Sequence, residues 1–216
     1  MRHENFHHVT TWVFDLDNTL YPPHMRLFDQ IERKMTHWVM RNLNLDEVKA
    51  DLLRAQYWEL HGTTLAGLMH EHSIDPLDFL ADVHDIDFTV LERDPALADA
   101  IASLPGRKII FTNADSHYAG HVLNHRGLNG LFDAVYGVEH ANFRPKPEQA
   151  AFDTIIAKDG FDPSKAAMFE DDPRNLMVPH KIGMRTIYVA PNEMAADHIH
   201  HHTSDLSGFL RGLTAA

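Results

Sequence analysis

The sequence predicts an α/β fold: a mostly parallel sheet with a block of helices inserted after its first strand. Three observations carry this. After residue 105, short apolar runs of strand length alternate with helix-length segments, the pattern of βαβ units. From Tyr21 to Thr89 apolar residues instead recur at helical spacing, and strand patterns are scarce. The 216 residues, 44% hydrophobic and 23% charged, have a globular composition and suffice for one core with a smaller insertion.

Taken in order, Thr11–Phe14 is a short apolar strand that runs straight into Asp15-Leu16-Asp17-Asn18-Thr19. Ile31, Met35, Trp38 and Val39, then Leu52, Leu53, Tyr57 and Leu60, mark helices whose apolar stripes are expected to pack internally. A strand is expected over Lys108–Thr112 and a helix over Ser116–Arg126, capped at Asp115 or Ser116. A short strand at Ala134–Tyr136 and a helix over Pro147–Lys158 follow. Ala166–Phe169 reads as a strand, Arg174–Ile182 as a helix and Thr186–Val189 as the last strand. This divides the chain into a core of residues 1–20 and 94–216 and a helical insertion of residues 21–93. The run His198-Ile199-His200-His201-His202 is expected to be a solvated turn. The remaining histidines are scattered, with no pair four residues apart backed by a third ligand.

Composition narrows the function. The absence of cysteine excludes disulfides, thiolate nucleophiles and cysteine-held zinc, and fits a reducing, cytoplasmic compartment. A net charge of −12 repels phosphate polymers, so no nucleic-acid partner is expected. Residues 1–15 hold no apolar signal-like stretch, and no apolar run reaches about 18 residues, so neither secretion nor membrane insertion is expected. An acidic protein acting on a small phosphate ester needs a cation at its site.

Four positions carry chemistry. Asp15 and Asp17, one residue apart at a strand's carboxyl end, sit where α/β sheets bind ligands. Carboxylates this close repel, so one is protonated or a cation bridges them. Thr112 and Asn113, ending the second strand, offer a hydroxyl and an amide to phosphoryl oxygens. Lys146, held between Pro145 and Pro147, offers a point charge. Glu170-Asp171-Asp172 puts three acids at another strand end, where Mg²⁺ suits oxygen ligands. Singly, each has a plain structural explanation as a cap, a turn or a solvated side chain; their common edge argues for a metal site beside a phosphate cradle.

In that order these residues resemble the haloacid dehalogenase superfamily of phosphotransferases. Asp15-Leu16-Asp17-Asn18-Thr19 is similar to its DxDxT motif, and Thr112, Lys146 and Glu170-Asp171 match its next three motifs. Within it, Asp-Leu-Asp-Asn-Thr-Leu-Tyr-Pro at 15–22, Phe-Thr-Asn-Ala at 111–114, Glu-Asp-Asp-Pro-Arg-Asn at 170–175 and the segment Tyr57–Leu68 look most like the pyrimidine 5′-nucleotidase group. Asp172 stands where that group more often has serine, and Asn175 at a position acidic in many relatives. The resemblance implies a Rossmann-like core with a C1-type cap, and a Mg²⁺-dependent phosphomonoesterase acting on a small phosphorylated metabolite such as UMP or CMP. It implies Asp15 as nucleophile and Asp17 as general acid and base, an aspartate that dehalogenases and phosphonatases generally lack. It implies Thr112, Asn113 and Lys146 around the phosphate, and Mg²⁺ on the Asp15 carboxylate, the Asp17 main-chain carbonyl and Asp171. Tyr21, Arg26, Tyr57 and His61 are candidates for touching the leaving group, each set against the plainer reading of packing or solvated surface. A sugar-phosphate phosphatase or mutase, and an idle binding protein on the same fold, stay open as alternatives.

Overall fold

The computed structural model describes residues 6–214; residues 1–5 and 215–216, the ends of the expected core, lie outside the described residues. Strands β1 (Thr11–Phe14), β2 (Arg107–Phe111), β3 (Ala134–Tyr136), β4 (Ala166–Glu170), β5 (Arg185–Val189) and β6 (His201–Thr203) form one sheet in the order β3-β2-β1-β4-β5-β6. Every pairing is parallel. The order reverses at β1, so the crevice that such sheets open to ligands lies at the end of that strand.

Alternation along the strands divides the core in two. Trp12, Phe14, Ile110, Phe169 and Ile187 face one side, packed by α5 (Pro95–Ser103), α6 (Ser116–Arg126) and α9 (Leu206–Thr214). Val13, Ile109, Phe111 and Met168 face the other, covered by α7 (Gln149–Asp159) and α8 (Met177–Lys181). Between β1 and α5 the chain builds α1 (Leu27–Leu43), α2 (Glu47–His61), α3 (Thr64–His72) and α4 (Pro76–Val83), with their own cluster around Trp38, Tyr57, Leu68 and Phe79.

The starts of these helices are written in capping residues. Asp46, Thr63, Asp75, Asp94 and Asp115 each accept a hydrogen bond from a backbone N–H of the first turn they precede. At Gly67 the packing leaves no room for a side chain, because a Cβ there would overlap the root of the Tyr57 ring. Gly67→Ala is therefore expected to cost about 1–3 kcal/mol through overpacking, despite alanine's better helix propensity. Thermal denaturation should show the loss at about 2–4 °C per kcal/mol in a chain of this size.

The structure corrects several expectations. Thr186–Val189 is not the last strand, because β6 adds beyond β5 and takes in His201 and His202. The His198–His202 run is accordingly no solvated turn: Thr186 Oγ1 donates to the His198 carbonyl, and the His200 imidazole lies 2.7 Å from the same hydroxyl. Strand β2 ends at Phe111, leaving Thr112 just beyond it. The helix expected from Pro147 starts at Gln149. That expected over Arg174–Ile182 is a 3₁₀ turn at Pro173–Leu176 followed by the short α8, in which Pro179 has no N–H to donate. Leu52 and Leu60 are each 66% exposed, because Ala50, Leu53 and Tyr57 form the face of α2 that turns inward.

Candidate active site

The turns after β1, β2 and β4 meet at the carboxyl edge of the sheet. Asp15, Asp17, Thr112, Asn113, Glu170 and Asp171 from these turns line one cavity of about 520 Å³ under the inserted helices. Although β1 stops at Phe14, its alternation is not needed to align the two aspartates: the turn at residues 15–20, with Asn18 at φ 56°, brings both into the same space.

Asp15 is buried, with its N–H bonded to the Phe169 carbonyl. Its two carboxylate oxygens have different partners. Lys146 Nζ donates to Oδ1 at 2.8 Å and Thr19 Oγ1 donates to Oδ2 at 3.1 Å. The same ammonium donates to Glu170 Oε2 at 2.6 Å, so one fully buried cation sits between two buried carboxylates. Burial alone would lower the Lys146 pKa, but the charges of Asp15 and Glu170 outweigh it and raise it, keeping the ammonium charged.

Asn113 holds that lysine by its backbone. Its side-chain oxygen accepts from the Lys146 N–H at 2.8 Å and its amide nitrogen donates to the Lys146 carbonyl at 3.1 Å. The carboxamide expected to face a phosphoryl oxygen thus also positions Lys146. Thr112, buried beside it, accepts from the Ala114 N–H through Oγ1 at 3.0 Å and retains its own proton for donation.

Asp17 is gripped on one side. Tyr21 and Tyr118 both donate to its Oδ1, at 2.7 and 2.6 Å. His84 stacks on the Tyr118 ring with centroids 4.3 Å apart and contacts Asp115 at 2.6 Å through Nδ1, tying α4 to the cap of α6. Burial, then the charge of Asp15, raises the Asp17 pKa above the ordinary carboxyl value despite the tyrosine hydrogen bonds. A carboxyl group raised in this way suits proton donation.

The third acidic turn separates into three roles. Glu170 is paired with Lys146. Asp172 caps the 3₁₀ turn through the Arg174 N–H and forms a two-pronged ion pair with the Arg174 guanidinium. Asp171 remains beside Asp15 and Glu170, and one oxygen from each of the three lies within 4.8 Å of the others. Burial, then Glu170 and Asp15, pushes the Asp171 carboxyl well up, and burial with Asp15 lifts Glu170 to about 7. Three close carboxylates facing one ammonium leave surplus negative charge with hard oxygen donors, which fits a divalent cation such as Mg²⁺. The Asp17 side chain, turned to the tyrosines, is not in this group.

An acid whose folded pKa is raised supports the fold fully below its unfolded pKa and loses that support as pH rises through the folded value. Metal-free protein is thus expected to lose thermal stability between about pH 4.5 and 7, the interval set by Glu170. Added Mg²⁺ should raise the Tm more at pH 8 than at pH 5.5; calorimetry showing an equal rise at both would contradict this.

The four leaving-group candidates have partners of their own. Tyr21 serves Asp17, Arg26 pairs with Asp29 on the surface, and Tyr57 donates to or accepts from His72 within the helical layer. His61 turns to His70 and Glu71. The cavity wall comes instead from Phe28, Ile31 and Met35 of α1 and from Arg54 and Trp58 of α2, spaced at helical intervals. Arg174 lies over the Trp58 ring, 3.4 Å from its centroid, and joins the acidic turn to α2. The histidines are also less scattered than expected. His61, His70 and Glu71 gather, and His117 and His121 bring their Nε2 atoms to 3.2 Å.

Comparison with known proteins agrees with this frame. A family model described as haloacid dehalogenase-like hydrolase matches residues 9–183. Phosphate metabolism protein 8 of Saccharomyces cerevisiae is 25% identical over 177 residues, covering 74% of this chain. The chain spans about half of that relative, 55% of its length. Among solved structures, a Bacillus subtilis HAD-hydrolase bound to magnesium has a TM-score of 0.63 at 15% identity, covering 95% of this chain and 98% of that one. A HAD phosphatase from Thermococcus onnurineus gives 0.62 at 16%, covering 94% and 97%. A 2-haloacid dehalogenase from Pseudomonas syringae pv. Tomato gives 0.58 at 18%, covering 96% and 99%. At these identities the structural likeness shows the shared fold.

Proposed function

This chain belongs to the haloacid dehalogenase-like hydrolase family, and from that premise we propose that it is a Mg²⁺-dependent phosphomonoester hydrolase, acting on nucleoside monophosphates of the UMP and CMP kind. The observation that carries the reading is the pairing of two unlike aspartates in one cavity. Asp15 is held next to a buried ammonium, while Asp17 is held by two tyrosines with its pKa raised. A halide leaves without a proton and needs no such acid, whereas an alkoxide does. Asp17 therefore favours a phosphoester over the haloacid substrates named for some structural relatives.

In the proposed sequence, an Asp15 oxygen attacks phosphorus in line and the bond from phosphorus to the ester oxygen breaks. Asp17 gives its proton to the departing oxygen. Asp17 then takes a proton from water; the water oxygen attacks the aspartyl-phosphate, its P–O bond to Asp15 breaks, and phosphate leaves. Lys146 holds Asp15 against Glu170 and offsets charge on the phosphoryl group, and the Thr112 hydroxyl donates to one of its oxygens. Asp15 and Asp171, with the Asp17 main-chain carbonyl, would hold Mg²⁺, which when bound supplies charge to balance nucleophile and phosphate. Under this reading the helices of residues 21–93 act as a cap that chooses the leaving group and excludes water. A cytoplasmic location and a small phosphorylated metabolite as partner, with neither nucleic-acid polymer nor membrane, belong to the same proposal.

Phosphate release with Mg²⁺ across nucleoside monophosphates and sugar phosphates tests it. Release concentrated on UMP and CMP is expected. Activity confined to sugar phosphates would keep the chemistry and discard the nucleotide assignment. Retention of phosphate on the protein until a second sugar hydroxyl enters would make it a mutase, and absence of release from every ester would overturn the reading.

A further inference from the structure

Away from the cleft, the junction of α2 and α3 gathers a second set of metal-ligating side chains. His61 closes α2, and His70 and Glu71 stand in the last turns of α3. Glu71 Oε1 lies 3.0 Å from His70 Nδ1 and 3.8 Å from His61 Nε2. The two imidazole centroids are 5.2 Å apart, and one donor atom from each residue falls within 4.8 Å of the others.

These separations bracket the edge of a zinc tetrahedron, about 3.4 Å for bonds of about 2.0–2.1 Å. Two imidazole nitrogens and one carboxylate oxygen are donors for a borderline transition cation, whereas the all-carboxylate group in the cleft suits a hard one. Glu71 already lies within 3.0–3.8 Å of a nitrogen of each ring, so a cation can enter between them without rebuilding the helices. We propose that His61, His70 and Glu71 form a binding site for a divalent cation of the Zn²⁺ class, distinct from the acidic cleft, with its fourth position open to water.

The place of this site in the fold gives it a consequence. Gly62 follows His61 directly and packs against the Lys146 segment, where an added Cβ would lie 3.3 Å from the Lys146 carbonyl oxygen and 3.4 Å from Pro145 Cγ. Thr63, next along, caps α3. A cation held by residues 61, 70 and 71 therefore staples a turn through which α2 and α3 rest on the Lys146 loop.

Titration of the whole protein with Zn²⁺ against a chromophoric chelator, at pH 7.5 with Mg²⁺ in excess, tests the site. The wild type is expected to bind one equivalent that His70→Ala and Glu71→Gln each weaken by about 10–100-fold or more. Both side chains are largely solvent-facing, at 71% and 48% exposure, so these variants should keep the wild-type circular dichroism. Their Zn²⁺-free phosphate release should be unchanged. His121→Ala, which breaks the other close imidazole pair, should leave the Zn²⁺ equivalent intact. No Zn²⁺ equivalent in the wild type, equal affinity in the His70 and Glu71 variants, or loss in His121→Ala alone would overturn the proposal.

Discussion

Replacing Asp15 by asparagine is expected to abolish phosphate release while leaving the fold intact or firmer. Asparagine keeps the shape and can still accept from Lys146 Nζ through its carbonyl, and Thr19 Oγ1 can turn to accept from the amide. It cannot act as a carboxylate nucleophile, and loss of a covalent nucleophile is expected to cost on the order of 10⁴-fold or more in kcat. Removing the Asp15 charge also relieves the pressure that raises the Asp17, Glu170 and Asp171 carboxyls. The Mg²⁺-free variant should therefore melt at or above the wild-type temperature. Wild-type turnover in this variant would remove Asp15 from the mechanism; lost turnover together with a sharply lowered Tm would mean its role is structural.

Lys146→Met should damage both activity and stability. Methionine fills much of the lysine stem's volume but leaves Asp15 and Glu170 buried without their shared cation. Breaking a buried ion pair from one side costs about 3–5 kcal/mol. At about 2–4 °C per kcal/mol, the Tm should fall by about 10 °C. Turnover should drop by about 10²–10³-fold with the loss of charge stabilisation. Adding Glu170→Gln removes one of the stranded charges and should recover part of the Tm without recovering turnover. If the double variant is no more stable than Lys146→Met, the ion pair is not what the lysine contributes to the fold.

Much of this arrangement was legible along the chain because it obeys local rules. An apolar run ending in Asp-x-Asp, and another ending in three acids, announce two strand ends, and five of the six strands are readable to within a residue of each end. Lys146 was findable from the prolines around it. Its partner was not, because Glu170 lies 24 residues away and only the sheet order sets β4 beside β1. Tyr118 reaches Asp17 across 101 residues, beyond any periodicity. The clamp of the Asn113 carboxamide on Lys146 is not legible either, because the two residues stand 33 apart in the chain. Strand β6 escaped notice because three residues of His-His-Thr carry no apolar alternation. The cleft walls from α1 and α2 look like any buried helical stripe until the fold shows which stripe meets the site.

The sheet's two margins bear on how the protein behaves in crowded solution. Both outer strands, β3 and β6, are three residues long, against four or five for the strands between them. Each border thus exposes only a short row of unpaired backbone donors and acceptors, too little to template a neighbouring molecule's strand. Such short edges discourage strand-by-strand extension of the sheet, leaving exposed apolar helix residues such as Val48 and Leu52 as the other surface through which copies could associate.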